Sequence, residues 1–347
     1  MLDDRGELIE SDQRALVRHV VQEGRGADMV FAAGTTGEWD KVSNATRQQV
    51  IRICTEEVAK LNTSLQGRGG RPGCRDVELW AGITAPNPED TLANLELAID
   101  CGADAAVLAP LSIEGLHDPV RFVAREISDL LDERSRRIPL YLYDNADIAI
   151  DPKIPHIRTR QVKAMSRLDF VRGIKVSASR KVLGHYTKAA ASFRERGEFG
   201  IYVGNAKLIF DLFKPRSPGL PGAIADHWNR YRLQGQLPIG VVSGPGNAMP
   251  REWAWAWQVC RAGDLDRMQE VREILDAFGA ATRTSSGGRS IASIKRALLR
   301  DGVITSAAVA RGTPELSEAD AEAFDAAYAE VKAMVRDRLP GIWVTGT

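Results

Sequence analysis

Asp169-Phe170-Val171-Arg172-Gly173-Ile174-Lys175 joins a short apolar, β-branched run to a terminal lysine. Such a run, with little polar alternation, reads as a parallel strand covered on both faces. Working outward, the same pattern recurs at Asp28–Ala32, Val77–Ile83, Ala105–Leu108, Leu140–Tyr143, Gly200–Val203 and Ile239–Ser243. Segments of helical period separate these runs. Asn87-Pro88-Glu89-Asp90 carries a cap, a proline at the first helical position and acids at the positive end of the helix dipole. Leu92, Leu95 and Ile99 then share a face, and Gly102 stops the helix. Asp118-Pro119 opens another helix in the same way.

Strand–helix repetition of this kind implies an α/β protein, either an eight-stranded barrel or a doubly wound sheet. The strand count is seven. The first helix falls at about Ser11–Gln22 with nothing strand-like before it, so an eight-stranded barrel would have its first strand absent or atypical. Residues 1–250 read as the barrel and 251–347 as a C-terminal helical region. Polar, glycine- or proline-rich stretches at Leu61–Asp76, Lys214–Leu237 and Ala281–Arg289 read as loops.

The 347 residues hold 46 basic and 46 acidic side chains, so the net charge is zero. This argues against a nucleic-acid surface and a polybasic membrane contact. No apolar run reaches the length of a membrane span, and the start, Met1-Leu2-Asp3-Asp4-Arg5, lacks the pattern of a signal peptide. Cys54, Cys74, Cys101 and Cys260 form no C-x-x-C pair and no zinc-spaced cluster with histidine. The expectation is a cytoplasmic protein with reduced thiols and no metal or cofactor. Only 11 of the basic residues are lysines, which leaves few candidates for a catalytic amine.

Four places carry chemistry. Gly34-Thr35-Thr36-Gly37-Glu38 follows a strand and offers backbone N–H groups and two hydroxyls, a nest for a carboxylate or phosphate. Lys175 ends its strand, where desolvation disfavours an ammonium and a neutral amine can attack a ketone. Tyr143 ends the preceding strand and is placed to shuttle a proton. Gly204 and the run Gly240-Val241-Val242-Ser243-Gly244-Pro245-Gly246-Asn247 allow close backbone approach to a ligand. Each of these alone is equally an ordinary turn, strand-end or rim residue. The late glycines also admit a phosphosugar site. Trp253 and Trp257 share a helical face suited to packing, Trp39 packs or narrows a pocket mouth, and His117, His156, His185 and His227 lack telling partners.

The ordered set Gly34–Glu38, Tyr143, Gly173-Ile174-Lys175, Gly204 and Gly240–Asn247 with Pro250 resembles the dihydrodipicolinate synthase / N-acetylneuraminate lyase family. Ile294-Lys295-Arg296-Ala297-Leu298 and Gly302 resemble that family's C-terminal stretch. The resemblance implies a (β/α)8 TIM barrel with additional C-terminal helices, with the family's first strand lying just before Met1. It also implies class I, Schiff-base lyase or aldolase chemistry on a 2-keto acid such as pyruvate. By the same resemblance, Lys175 matches the imine-forming lysine and Tyr143 the acid/base. Thr35 and Thr36 match the pair that holds the carboxylate and passes protons to the tyrosine, which makes Thr36 a catalytic residue beside Lys175 and Tyr143, and Thr35, Thr36, Gly37, Gly204 and Ser243 form the substrate-binding set. A homodimer or homotetramer is expected.

Departures from the family pattern narrow the chemistry. Tyr143 is followed by Asp144-Asn145-Ala146-Asp147-Ile148, without the family's proline, and Ile148 stands where dihydrodipicolinate synthases carry an arginine. Pro110 precedes Leu111-Ser112 where those enzymes carry an aromatic pair. Both changes argue against dihydrodipicolinate synthase itself. Asp144 and Asp147 suggest a hydroxylated or aldehyde-bearing partner, unless they are solvated loop residues. The remaining alternatives are a 2-keto-3-deoxy sugar acid dehydratase using the same imine or a dihydrodipicolinate synthase-like enzyme, and a catalytically idle relative that binds keto acids.

Overall fold

The computed structural model describes residues 1–67, 76–190, 199–213, 224, 227, 237–283 and 291–342. Most of the three expected loop segments, and Cys74, lie outside these residues. The chain divides into two compact units, residues 79–243 and residues 1–78 with 244–347. Among the described residues, seven strands follow one another in sequence order in the sheet, each where an apolar run predicts one.

In the unit 79–243 the sheet continues from β2 (Glu78–Gly82) through β3 (Ala105–Leu108), β4 (Leu140–Asn145), β5 (Val171–Ser177), β6 (Gly200–Val203) and β7 (Gly240–Val241). All neighbouring pairs are parallel, with Gly82 beside Val107, Leu108 beside Leu142, Tyr143 beside Lys175, Lys175 beside Tyr202 and Val203 beside Val241. β4 and β5 each run two residues beyond the strands expected from apolarity, because Asp144-Asn145 and Val176-Ser177 keep the parallel ladder despite their polar members.

The crossovers are helical, as parallel pairing requires. α3 (Pro88–Cys101) starts on Asn87, whose side chain accepts from Asp90 N at 2.7 Å, and ends on Gly102 at φ +92°, in the left-handed region that glycine favours. α4 (Pro119–Phe122) opens on an Asp118 cap and passes through a π turn at Val123–Ile127 into α5 (Ser128–Glu133). α6 (Thr159–Met165), α7 (Arg180–Ala190) and α8 (Ile209–Leu212) complete the unit.

Three rings show that this sheet curls. Trp80 of β2 stacks on Tyr141 of β4 with centroids 3.8 Å apart, and Tyr202 of β6 meets both edge-on at 4.9 and 5.5 Å. In a flat sheet β2 and β6 would stand about 19 Å apart at roughly 4.8 Å per strand. Contact between them requires a barrel-like curl, with alternate strands filling one inner layer. Gly173 leaves room for that layer, since a Cβ there would overlap the Gly200 carbonyl oxygen and stand 3.0 Å from the Tyr141 ring. Gly173→Ala is therefore expected to cost about 1–3 kcal/mol through overpacking. Urea unfolding checks this, and an unchanged midpoint would remove the steric argument.

In the other unit, α1 (Glu10–Val21) precedes β1 (Met29–Ala32) and α2 (Asn44–Gly67) follows it. Residues 61–67 belong to α2 and not to a loop. The Asn62 amide both donates to and accepts from the Val77 backbone at 2.9 Å, and Gln66 bonds Asp76, so the helix end is tied to the chain entering β2. Glu78 N in turn donates to Asp28 O beside β1. The rest of the unit is helical: α9 (Pro250–Ala262), α10 (Leu265–Ala281), α11 (Ile291–Arg300) and α12 (Glu318–Arg338).

Phe278, Phe324 and Tyr328 pack α10 against α12. Trp253 of α9 is buried, whereas Trp257 on the same face is half-buried under the Arg261 guanidinium. Buried Asp12 of α1 accepts from both Thr305 N and Thr305 Oγ1.

Candidate functional site

Strand alternation puts residues 143 and 145 of β4, and 173, 175 and 177 of β5, on one face of the sheet. Register then sets Tyr143 beside Lys175 and Asn145 beside Ser177. The Lys175 ammonium nitrogen stands 4.2 Å from the centre of the Tyr143 ring, a cation–π contact. Both side chains are buried, at 9% and 5% exposure, so the amine and the phenol lie together with little competition from water.

Ser177 and Asn145 are among the polar neighbours of the Tyr143 hydroxyl. Ser177 Oγ lies 3.3 Å away, and Asn145 Nδ2 donates to the phenol oxygen at 3.1 Å. Gly204, at the end of β6, is glycine because a Cβ there would overlap the Ser177 hydroxyl. The structure thus brings together Lys175, Tyr143 and Gly204, and adds Ser177 and Asn145, which the sequence reading did not select. The signal was period-2 alternation: one step of two beyond Tyr143 and beyond Lys175 names both. Apolarity ends the expected strands at Tyr143 and Lys175 and so stops short of both. Ser243 follows the short β7, with Val242 N donating to Val203 O just before it.

Asp144 requires a correction. It does not lie toward Lys175 as a charge for a substrate to meet. Its carboxylate, on the opposite face of β4, accepts from Ile157 N at 2.8 Å and pairs with His156 Nδ1 at 2.8 Å. Burial holds its pKa above the usual carboxylate value, and its hydrogen bonds with Ile157 and His156 act in the opposite sense. His156 therefore has an acid partner twelve residues away, and the pair fastens the segment after β4 to the outside of the strand. Asp147 is exposed, and its backbone N donates to Asn145 Oδ1. Leu111 of the turn Pro110–Ser112 accepts from Ile150 N, which ties down the same segment.

In the unit containing β1, Thr35-Thr36-Gly37 form a single 3-10 turn. Ala33 at φ +54° and Glu38 at φ +57° bracket it in the left-handed region, where non-glycine residues are uncommon. Gly37 N and Glu38 N bond back to Gly34 O and Thr35 O. Thr35 and Thr36 are half-buried and Gly37 is exposed. Gly244 packs on this turn: a Cβ there would stand 2.6 Å from Thr36 Oγ1. The apparent ligand glycine thus serves close packing against the threonine.

Glu38, the last residue of the motif, is not a ligand either. It is 2% exposed, pairs with Lys295 Nζ of α11 at 2.6 Å and accepts from Ala310 N at 2.8 Å. Lys295 also donates to Ala308 O. This explains why the turn and the distant Ile294–Leu298 stretch occur in one sequence. Trp39 beside it is buried, and its carbonyl accepts from Arg47.

Among the described residues, no helix is long and apolar enough to cross a membrane. Residues 1–71 match the model of the dihydrodipicolinate synthetase family. A 2-dehydro-3-deoxy-D-gluconate/2-dehydro-3-deoxy-phosphogluconate aldolase from Thermoproteus tenax is 24% identical over 260 residues, 75% of this chain and 67% of that protein.

The fold is shared with solved structures. One is a prophage protein of the dihydrodipicolinic acid synthase family from E. coli K12, in complex with pyruvate, with a TM-score of 0.72 at 17% identity over 96% of this chain and 95% of that one. Another is a catalytic-lysine mutant of the Ruminococcus gnavus sialic acid aldolase, with a TM-score of 0.73 at 16% identity over 97% of this chain and 94% of that one. The curled parallel sheet with its helices is therefore a TIM-barrel-like α/β fold. Residues 1–71 are thus similar to the dihydrodipicolinate synthetase family, three quarters of the chain is similar to an aldolase, and the fold is one shared with a dihydrodipicolinic acid synthase family protein and a sialic acid aldolase.

Proposed function

We propose that the protein is a Schiff-base lyase that breaks or makes a carbon–carbon bond of a 2-keto acid, with pyruvate as product or substrate. The observation that carries this reading is the buried pair of Lys175 and Tyr143, amine above ring at 4.2 Å on neighbouring strand ends.

The chemistry balances without a redox partner. The neutral Lys175 amine adds to the ketone carbon, and the carbinolamine oxygen leaves as water on taking the Tyr143 phenol proton, so a protonated imine and a Tyr143 phenolate remain. In cleavage, Tyr143 as base takes the proton of the C4 hydroxyl. The C3–C4 electron pair moves to the imine nitrogen, which releases an aldehyde and leaves an enamine. The proton returned to C3 and a water molecule then liberate pyruvate and free Lys175. A buried setting favours this sequence, because charge migrates between fixed groups and not through bulk water. Thr35 and Thr36 take the role the resemblance implies, holding the carboxylate with their hydroxyls, and Gly37 lies beside them in the same turn. Gly204 and Ser243 belong to the substrate-binding set on the same ground. A cytoplasmic homodimer or homotetramer without cofactor completes the reading.

The test is borohydride reduction in the presence of pyruvate, followed by intact-mass measurement and peptide mapping. A reduced adduct on Lys175 is the expected result. No adduct with pyruvate or longer 2-keto acids, in folded protein, would leave a keto-acid binder without lyase activity. An adduct on another lysine would move the active amine elsewhere.

A further inference from the structure

We propose that Asn145 is a positioning residue that fixes which way the Tyr143 proton points; this rests on the lyase reading of Lys175 and Tyr143. A side-chain amide can face either way round, and its neighbours decide. Here Asn145 Oδ1 accepts from Asp147 N at 3.2 Å. A backbone N–H only donates, so the oxygen must face it and Nδ2 must face Tyr143. The phenol oxygen then receives an N–H at 3.1 Å. With one side of that oxygen occupied by a donor, its own proton is directed to Ser177 Oγ, at 3.3 Å, or to a bound substrate.

The arrangement has a chemical consequence. Asn145 can donate to the phenol and to the phenolate, and it binds the phenolate more strongly because charge-assisted hydrogen bonds are the stronger kind. The base form of Tyr143 is thereby favoured, in addition to the pull of the Lys175 ammonium over the ring. The groups around the ring are consistent with this. From β5 come Lys175, whose ammonium lies over the ring, and Ser177. On β4 itself Asp144 turns to the far face and His156, and Asp147 meets the site through its backbone N. β3 presents apolar Val107 and Leu108 in register with Tyr141 and Leu142. Chain geometry prepares the amide: Asn145 ends β4 and caps the 3-10 turn Ala146–Ile148, so one residue finishes the strand, orients its own amide and reaches the phenol.

The deciding variant is Asn145→Asp. It keeps an acceptor for Asp147 N but can no longer donate to Tyr143. The readout is the pH titration of the Tyr143 Cζ resonance in 13C-tyrosine-labelled protein, identified among the six tyrosines by its absence in Tyr143→Phe. Tyr143 is expected to titrate about one to two pH units higher in Asn145→Asp, the scale of a lost charge-assisted hydrogen bond. The limb of the pH–rate profile that reports the base should move with it, with kcat falling and KM nearly unchanged. Asn145→Ala, which also removes the cap, should give a smaller upward shift and serves if Asn145→Asp does not fold. An unchanged Tyr143 titration in either folded variant overturns the proposal. If the titration moves while borohydride traps nothing on Lys175, the positioning role stands and the lyase reading falls.

Discussion

Lys175→Met is expected to abolish the borohydride-trapped pyruvate adduct and to lower turnover by about 10^4-fold or more, the scale seen when a covalent nucleophile is removed. Methionine fills most of the lysine's volume and is at home in apolar surroundings, so the protein should keep its fold. Intact mass after reduction, circular dichroism and pyruvate release from candidate sugar acids measure the three quantities separately. Lys175→Arg should fail as completely, because a guanidinium stays protonated and cannot add to a ketone. Retained turnover in either variant would remove Lys175 from the chemistry. Tyr143→Phe should be milder, about 10^2- to 10^4-fold, because it deletes proton transfer and leaves the amine.

The second large effect concerns stability. Glu38→Leu or Lys295→Met alone is expected to cost about 3–5 kcal/mol, because each leaves its buried partner charge uncompensated. Both side chains are almost fully buried, and the carboxylate also holds Ala310 N while the ammonium holds Ala308 O. Removing either partner therefore strands more than one hydrogen-bonding group. The pair of substitutions Glu38→Leu and Lys295→Met should cost less than the two single losses added together, because no lone charge remains. Denaturant unfolding of the four proteins gives the coupling directly. A loss below about 1 kcal/mol for the single variants would mean that water reaches the pair. The experiment bears on function as well: Glu38 ends the turn that presents Thr35 and Thr36, so loosening it should raise KM for the keto acid more than it lowers kcat.

These two experiments separate what is often read together in a motif. In Gly34-Thr35-Thr36-Gly37-Glu38, the hydroxyls are candidates for the substrate, whereas the glutamate serves the fold. In Tyr143-Asp144-Asn145, the tyrosine and asparagine share a face and the aspartate lies behind it. Neighbours in sequence play opposite parts because a strand turns successive side chains to opposite sides of the sheet.

By itself the sequence determined where the strands lie and the α3 caps at Asn87 and Gly102, and it set Lys175 and Tyr143 at neighbouring strand ends. These follow from local properties: apolar runs and capping residues. It also held the clue to Ser177 and Asn145, two residues beyond each site residue, but apolarity fades there and hid how far the strands continue. Only the tertiary structure decided the rest. The curl of the sheet rests on Trp80, Tyr141 and Tyr202 meeting from strands two and four positions apart. The Glu38–Lys295 pair joins residues 257 positions apart, and the Asp144–His156 pair depends on which face of β4 is turned outward. Such contacts are set by how elements pack, a property of the whole chain's burial that no short window of residues contains.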